Sequence, residues 1–463
     1  MKLTILGGGG FRVPLVYRAL ASGSPITEVV LHDVSGGRLA AIRAVLAQLA
    51  TAPAVRTTTD LDDALADARF VFSAIRVDGL AGRTVDERVA LSCGVLGQET
   101  TGPGGIAFGL RTVPVALRVA ERVAAVAPDA WVINFTNPAG MITEAMQRVL
   151  GERVIGICDS PIGLAHRAAR ALSGLGVAAA EEPVVEYVGL NHLGWLRGLR
   201  VDGVDRLPDL LADDAALASV EEARLVGPDW VRAIGALPNE YLYYFYRTRD
   251  AVAAIGAAAS TRGEYLLDQQ DRFYADTAAD PGGALERWIR VHAERDASYM
   301  AESREASGAG ERAVEDLAVG GYQQVALDLM AALSGGASLT HPAGSASSAG
   351  FHPPSRTMIL DVRNGAAVPG LPADAVVEVP CLVGAHGVTP LATAPLPLAM
   401  LGLLQQVKAV EQDTIEAAVT GSEALALRAF AQHPLVDSVG VAQELLRGYR
   451  ARIPGVAAVF GDS

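Results

Sequence analysis

Short apolar runs separated by helical stretches organise the first 160 residues. Leu3 to Leu6, Glu28 to His32, Arg69 to Ile75, Trp131 to Phe135 and Val154 to Cys158 read as strands. Strands alternating with helices predict a parallel sheet built from crossover units. Gly7-Gly8-Gly9-Gly10 follows the first run at once and precedes Val13, Leu15, Val16 and Leu20 at helical spacing. That order sets backbone N–H groups at a helix N-terminus, where a pyrophosphate can bind.

After about residue 165 the pattern changes. Ala-rich helices such as the one around Leu164 to Leu172 mix with strands near Val184 to Leu190 and Val376 to Val379. Gly335 to Ser355 is rich in Gly, Ala, Ser and Pro without periodicity and reads as a mobile loop or insertion. From Leu396 to about Arg452 helical apolar spacing returns, as core, oligomer interface or both. The expected fold class is α/β, with an N-terminal Rossmann-like parallel sheet over residues 1–165 and an α+β unit over 166–463.

Composition narrows the function classes. The 463 residues suit two to four domains at roughly 150 residues each, and with 50% hydrophobic and 19% charged residues the chain folds rather than staying disordered. A net charge of −14 argues against nucleic acid and anionic membranes as partners. No apolar run approaches the roughly 18 residues of a membrane span, and the N-terminus is too brief for a secretory signal. Cys93, Cys158 and Cys381 offer no disulfide framework, so a reducing, cytoplasmic setting is expected.

A dinucleotide fingerprint wants a third glycine where this chain has Arg12, which makes Gly7, Gly8, Gly9 and Gly10 a weak signal alone. Asp33, closing the second strand, strengthens it. A carboxylate there accepts hydrogen bonds from an adenosine ribose and repels a 2′-phosphate, favouring NAD over NADP. The alternative is a plain turn with Asp33 as a loop cap. Phe11 and Asn134 are expected beside the same cofactor.

Four segments concentrate polar groups where an α/β sheet presents ligand sites: Gly97 to Gly105, Asn134 to Gly140, Ile157 to Pro161 and Gly189 to Trp195. With Arg83-Thr84-Val85-Asp86-Glu87-Arg88, Leu237-Pro238-Asn239-Glu240-Tyr241-Leu242 and Val377-Glu378-Val379-Pro380-Cys381, they make the chain resemble glycoside hydrolase family 4 along nearly its whole length. Within that family of NAD- and divalent-metal-dependent glycosidases, it is most similar to the 6-phospho-β-glucosidase branch. Val319-Gly320-Gly321-Tyr322-Gln323 departs from the pattern, since many members carry Arg before these glycines and Tyr-Ser after them.

The resemblance implies a fold like that of lactate and malate dehydrogenases and a redox-assisted elimination and addition. NAD takes hydride from C3 of the sugar, the ketone acidifies the C2 proton, a base removes it, the aglycone leaves C1, water adds and hydride returns. A metal on O2 and O3, Mn²⁺ or another divalent ion, would stabilise the enediolate-like charge.

Residue by residue, Cys158 and His192 match the metal ligands; alone, they would read as an inert buried thiol and an ordinary histidine. Tyr241 matches the base at C2, a role that needs a cation close to a phenol whose ordinary pKa is about 10. Tyr243, Tyr244 and Tyr246 read as packing. Asp159 matches the acid for the leaving oxygen, or caps the following helix. Arg83 and Arg262 match arginines near the sugar and its anionic group, with surface salt bridges as their alternative. Asn137 and Asn191 are expected to recognise hydroxyls, and Glu99 to contact sugar or water. The expected substrate is a small-molecule glycoside, phosphorylated at C6 or otherwise anionic, and the protein a homodimer or homotetramer. The reading from another class is an NAD-dependent hydroxy-acid dehydrogenase.

Overall fold

The computed structural model describes residues 1–20, 25–49, 53–177, 183–298, 300, 304–305, 307–308, 321–335 and 355–461. Val319, Gly320 and nearly all of the Gly335 to Ser355 stretch lie outside the described residues.

Six strands pair in parallel: β1 (Lys2–Leu6), β2 (Glu28–His32), β3 (Ala54–Thr58), β4 (Ala68–Ser73), β5 (Trp131–Asn134) and β6 (Val154–Gly156). Their order, 3-2-1-4-5-6, is that of a doubly wound Rossmann sheet. Every residue of β1 is buried, as a central parallel strand with helices over both faces requires.

The remaining strands continue the same sheet antiparallel. They are β7 (Val184–Leu190), β8 (Leu193–Val201), β9 (Val204–Asp205), β10 (Leu237–Pro238), β11 (Ser355–Arg363), β12 (Val376–Gly384) and β13 (Gly387–Pro390). The β11–β12 pair is wedged between β6 and β7 and meets each at one register position, Asp361 opposite Gly156 and Glu378 opposite Gly189. Asp361 and Glu378 also face each other across their own pair. One register row therefore runs Leu6, Ser73, Asn134, Gly156, Asp361, Glu378, Gly189, Gly194. A Cβ at position 156 would lie 2.7 Å from Asp361 Cβ and 2.5 Å from Thr143 Oγ1, so this row closes only with glycine there.

Helices cover both faces. Pro103–Val126, Ala139–Leu150 and Leu398–Thr420 pack on one side, and the last two are tied by Lys408, buried between Glu144 at 2.9 Å and Glu411. Tyr322–Leu333 packs on the other, with Leu3, Ile5 and Phe72 in its cluster. Among the described residues no helix is long and apolar enough to cross a membrane.

Candidate active site

The loops leaving β1, β4, β5 and β6, the β7–β8 turn and residues near 241 and 295 enclose a cavity of about 460 Å³. It opens where the strand order reverses between β1 and β4, the usual ligand position in such sheets.

At its cofactor end Gly7 has φ +77, and a Cβ on it would strike Ala74 O at 2.5 Å, so the turn between two neighbouring strands demands glycine. Asp33 accepts from Gly9 N at 3.1 Å and from Ser35 N at 2.9 Å, which fixes its carboxylate against the glycine loop. Gly7, Gly10 and Phe11 line the cavity, whereas Gly8, Gly9, Asp33 and Asn134 stand behind it. Asn134 is wholly buried. Its amide donates to Thr136 O, Ala139 O and Thr143 Oγ1 and its carbonyl accepts from Thr136 N, which shapes the loop after β5. Arg12, in the place of the third glycine, lines the cavity with its guanidinium over the stacked rings of Phe135 and Tyr322.

Cys158, Asp159, His192 and Tyr241 all line this one cavity. His192 sits in the two-residue turn between β7 and β8 with φ +63, in the left-handed region that favours glycine. Its Nδ1 pairs with Thr100 Oγ1 at 3.0 Å, which leaves Nε2 for the cavity. Burial pushes its pKa down to about 4, so the imidazole is neutral, the form that binds metals. Burial, then the charges of Glu378 and Asp159, push the Cys158 thiol well up, so a metal there would displace a proton. No group of three His, Cys, Asp or Glu that could hold a metal ion occurs among the described residues. Cys158 and His192 offer this cavity one thiol and one imidazole, a pair that would suit a divalent ion with positions left for substrate oxygens.

Asp159 occupies the N-cap position of helix Ser160–Gly174, yet its side chain makes no capping hydrogen bond and faces the cavity. The ring of Tyr241 stacks on His192 with centroids 3.6 Å apart, and the charge of Arg83 is electrostatically coupled to its phenol. Tyr243 is fully buried and Tyr246 accepts from Trp195 Nε1 at 2.8 Å, but Tyr244 reaches the cavity wall.

The arginines divide into two groups. Arg83 is buried and paired to Glu87 at 2.7 Å and Glu99 at 2.9 Å, and Arg76 also reaches Glu99, at 2.7 Å. Burial works against the Glu99 charge, but Arg76 and Arg83 override it and hold the carboxyl well below its usual range. Glu99 is thus a fixed anion between two cations. Arg262 donates to Ser298 Oγ at 2.7 Å and to Arg295 O at 2.9 Å. Burial, then the neighbouring charges of Arg12, Arg262 and Arg83, push the Arg295 guanidinium well below its ordinary value. Cations crowded on one wall call for an anion. Asn137 and Asn191 complete the lining, and Asn191 Nδ2 donates to Glu378 Oε1 at 3.3 Å. Sequence reasoning missed Arg12, Thr100 and Arg295; only Thr100, inside the Gly97 to Gly105 run, carried a local signal.

Fold and site together define an α/β protein of the doubly wound class with a cation-walled cavity at its switch point. The chain belongs to family 4 of the glycosyl hydrolases. Residues 2–174 match "Family 4 glycosyl hydrolase" and residues 187–436 match "Family 4 glycosyl hydrolase C-terminal domain". It is 29% identical over 475 residues to a probable 6-phospho-beta-glucosidase of Bacillus subtilis (strain 168), covering 98% of this chain and 97% of that one. To a 6-phospho-alpha-glucosidase of Leptotrichia buccalis it is 28% identical, covering 96% of each. The 6-phospho-beta glucosidase from Thermotoga maritima, solved with NAD and glucose-6-phosphate, superposes with a TM-score of 0.76 at 26% identity over 98% of both chains. A further structure of that enzyme contains manganese, NAD+ and glucose-6-phosphate, with a TM-score of 0.77 at 25% identity over 97% of this chain and 98% of that one.

Proposed function

We propose that this glycosyl hydrolase cleaves 6-phospho-β-glucosides in the cytoplasm, with NAD and Mn²⁺ or another divalent ion as resident cofactors, as a homodimer or homotetramer. The observation that carries the reading is the convergence of Cys158, Asp159, His192, Tyr241 and the Arg262–Arg295 pair on a single cavity. The family's glucose-6-phosphate complexes support the phosphorylated sugar, and the crowded guanidiniums supply the matching chemistry.

Residues 1–165 serve as the dinucleotide-binding unit, with Gly7 to Gly10, Phe11 and Asp33 around the cofactor and Asn134 holding the adjacent loop. Residues 166–463 supply substrate contacts and the oligomer interface. Cys158 and His192 hold the metal. When bound, these groups supply a reversible hydride acceptor at C3 and Lewis-acid charge at O2 and O3. Tyr241 takes the C2 proton, with the Arg83 guanidinium close enough to interact with its phenol. Asp159, free of capping duty, gives a proton to the departing oxygen. Asn137 and Asn191 hold hydroxyls, and Arg262 and Arg295 grip the phosphate in fork geometry. Glu99 keeps Arg76 and Arg83 in place rather than acting as a second catalytic carboxylate.

The test is a matched panel of 6-phosphorylated and plain α- and β-glucosides with NAD and Mn²⁺ in deuterated water. Turnover of the phosphorylated β-glucoside with deuterium at C2 of the product is expected. Preference for the α-anomer would move the specificity to that branch, and preference for plain or otherwise anionic sugars would remove the phosphate. Stoichiometric NADH without aglycone release would mean a dehydrogenase, and hydrolysis undiminished after chelation and NAD removal would end the reading.

A further inference from the structure

Glu378 in β12 does not line the cavity, yet it is bonded directly to the turn that carries His192 and, through intervening side chains, to the turn that carries Tyr241. Only 1% of its surface is exposed. One carboxylate oxygen accepts from Asn191 Nδ2 at 3.3 Å, in the turn that presents His192. The other accepts from Tyr187 Oη at 2.9 Å, and that hydroxyl in turn accepts from Asn239 Nδ2 at 3.4 Å. Asn239 Oδ1 accepts from Tyr241 N at 3.0 Å, at the start of the short turn that carries Tyr241. A single buried carboxyl group is thus hydrogen-bonded into the His192 turn on one side and, through two side chains, into the Tyr241 turn on the other.

The surroundings are cut to fit this arrangement. Gly194, opposite Gly189 in the register row, leaves the space that Tyr187 fills, since a Cβ there would meet Tyr187 Oη at 2.3 Å. The backbone agrees: Asn239 N donates to Gly194 O at 2.9 Å, joining the Tyr241 segment to the strand that follows His192.

We propose that Glu378 is a positioning residue that sets the His192–Tyr241 stack from beneath the cavity, one arm running through Asn191 and the other through Tyr187 and Asn239. The inference rests on the proposed roles of His192 and Tyr241 for its catalytic meaning, but its geometric content stands apart from them. Removing Glu378 releases both arms, whereas removing the Tyr187 hydroxyl releases only the Tyr241 arm. Outer partners of a metal ligand commonly tune affinity by about 10–100-fold, so the two variants should separate.

The experiment compares Glu378→Ala, which removes both acceptors, Tyr187→Phe and, as a packing control in the same strand, Val379→Ala, in the full chain. Three quantities are read: the ring proton shifts of His192 in protein labelled with ¹³C-histidine, the Kd for Mn²⁺ alone, and kcat and KM on a 6-phospho-β-glucoside. In Glu378→Ala the upfield displacement of His192 by the Tyr241 ring is expected to shrink and the Mn²⁺ Kd to rise about tenfold. In Tyr187→Phe the Mn²⁺ Kd should stay within twofold while kcat falls about tenfold at unchanged KM. Glu378→Ala with unaltered His192 shifts and Mn²⁺ affinity would overturn the proposal. So would equal effects from Val379→Ala at a matched loss of Tm, because destabilisation alone would then explain them. If the wild type neither binds Mn²⁺ nor turns over, the functional reading fails, while the His192 shifts still decide the positioning role.

Discussion

Tyr241 lies flat against His192, with planes 10° from parallel and centroids 3.6 Å apart. The phenol and the imidazole therefore cannot be displaced independently, and removing the hydroxyl while keeping the ring separates chemistry from placement. Tyr241→Phe is expected to lower kcat by about 10²–10⁴-fold, the usual worth of a general base. Mn²⁺ affinity should hold within twofold, and product formed in deuterated water should lose its C2 label. Full activity in this variant would assign the base elsewhere.

Arg295 gives a prediction with two opposite signs. Its guanidinium is opposed by burial and by Arg12, Arg262 and Arg83, so the ligand-free protein gains nothing from its charge. Arg295→Met should leave the ligand-free Tm unchanged or higher. The Kd for glucose 6-phosphate should nevertheless rise roughly tenfold or more, from loss of charge-assisted bonds worth about 1.5–3 kcal/mol. Calorimetry and a binding titration check both halves.

Mn²⁺ binding should release a proton. Burial, with Glu378 and Asp159, holds Cys158 as a thiol at neutral pH, whereas the ligand form is a thiolate. Affinity is expected to climb about tenfold per pH unit between roughly pH 7 and 8, with a slope that vanishes in Cys158→Ser. Titration calorimetry in buffers of different ionisation enthalpy counts the proton directly.

Two buried histidines should make part of the metal-free protein's stability sensitive to acid. Burial pushes His192 down to about 4 and His433 down to about 3, while both sit near 6.5 in the unfolded chain. Their neutral forms stabilise the fold fully above pH 6.5, and that stability is lost as pH falls toward the folded values. Each costs about 1.4 kcal/mol per pH unit within that window. Urea titrations from pH 7 to 4.5 should show the wild type losing about this much per pH unit relative to His433→Gln, a difference in which the oppositely signed contributions of the buried carboxyls Asp86 and Asp361, pushed up to about 7, cancel.

Lys408 is the keystone between helices Ala139–Leu150 and Leu398–Thr420. It is 1% exposed, and Glu144 also accepts from Val376 N at 2.8 Å, so the same carboxylate fastens the start of β12. Lys408→Met leaves buried carboxylates unpaired and should cost about 3–5 kcal/mol. Adding Glu411→Gln should recover part of it, read from chemical denaturation midpoints.

Much of this was visible in the chain itself. The central strands were legible because parallel strands buried on both faces are nearly continuous apolar runs, as in Leu3 to Leu6. β3 escaped because Ala54-Val55-Arg56-Thr57-Thr58 is a half-exposed edge strand with no apolar run to announce it. Cys158, His192 and Tyr241 were singled out through motifs that share the family's order, and the fold brings them to one cavity. Arg295 was not, since a lone arginine on an amphipathic helix looks like any solvated charge until the fold turns it inward. Glu378 stood in a recognised run, but that it links two distant turns, one directly and one through Tyr187 and Asn239, is a property of strand register, which spacing along the chain does not reveal.

The insertion of β11 and β12 between β6 and β7 has a consequence for biosynthesis. While the chain is being made, β6 emerges about 200 residues before the strand that will cover its edge, a delay on the order of 10–40 s at ribosomal speed. For that interval the nascent half-sheet carries an open flank able to recruit another polypeptide. Yield on overexpression should therefore track translation rate and chaperone supply more closely than the thermal stability of the finished enzyme.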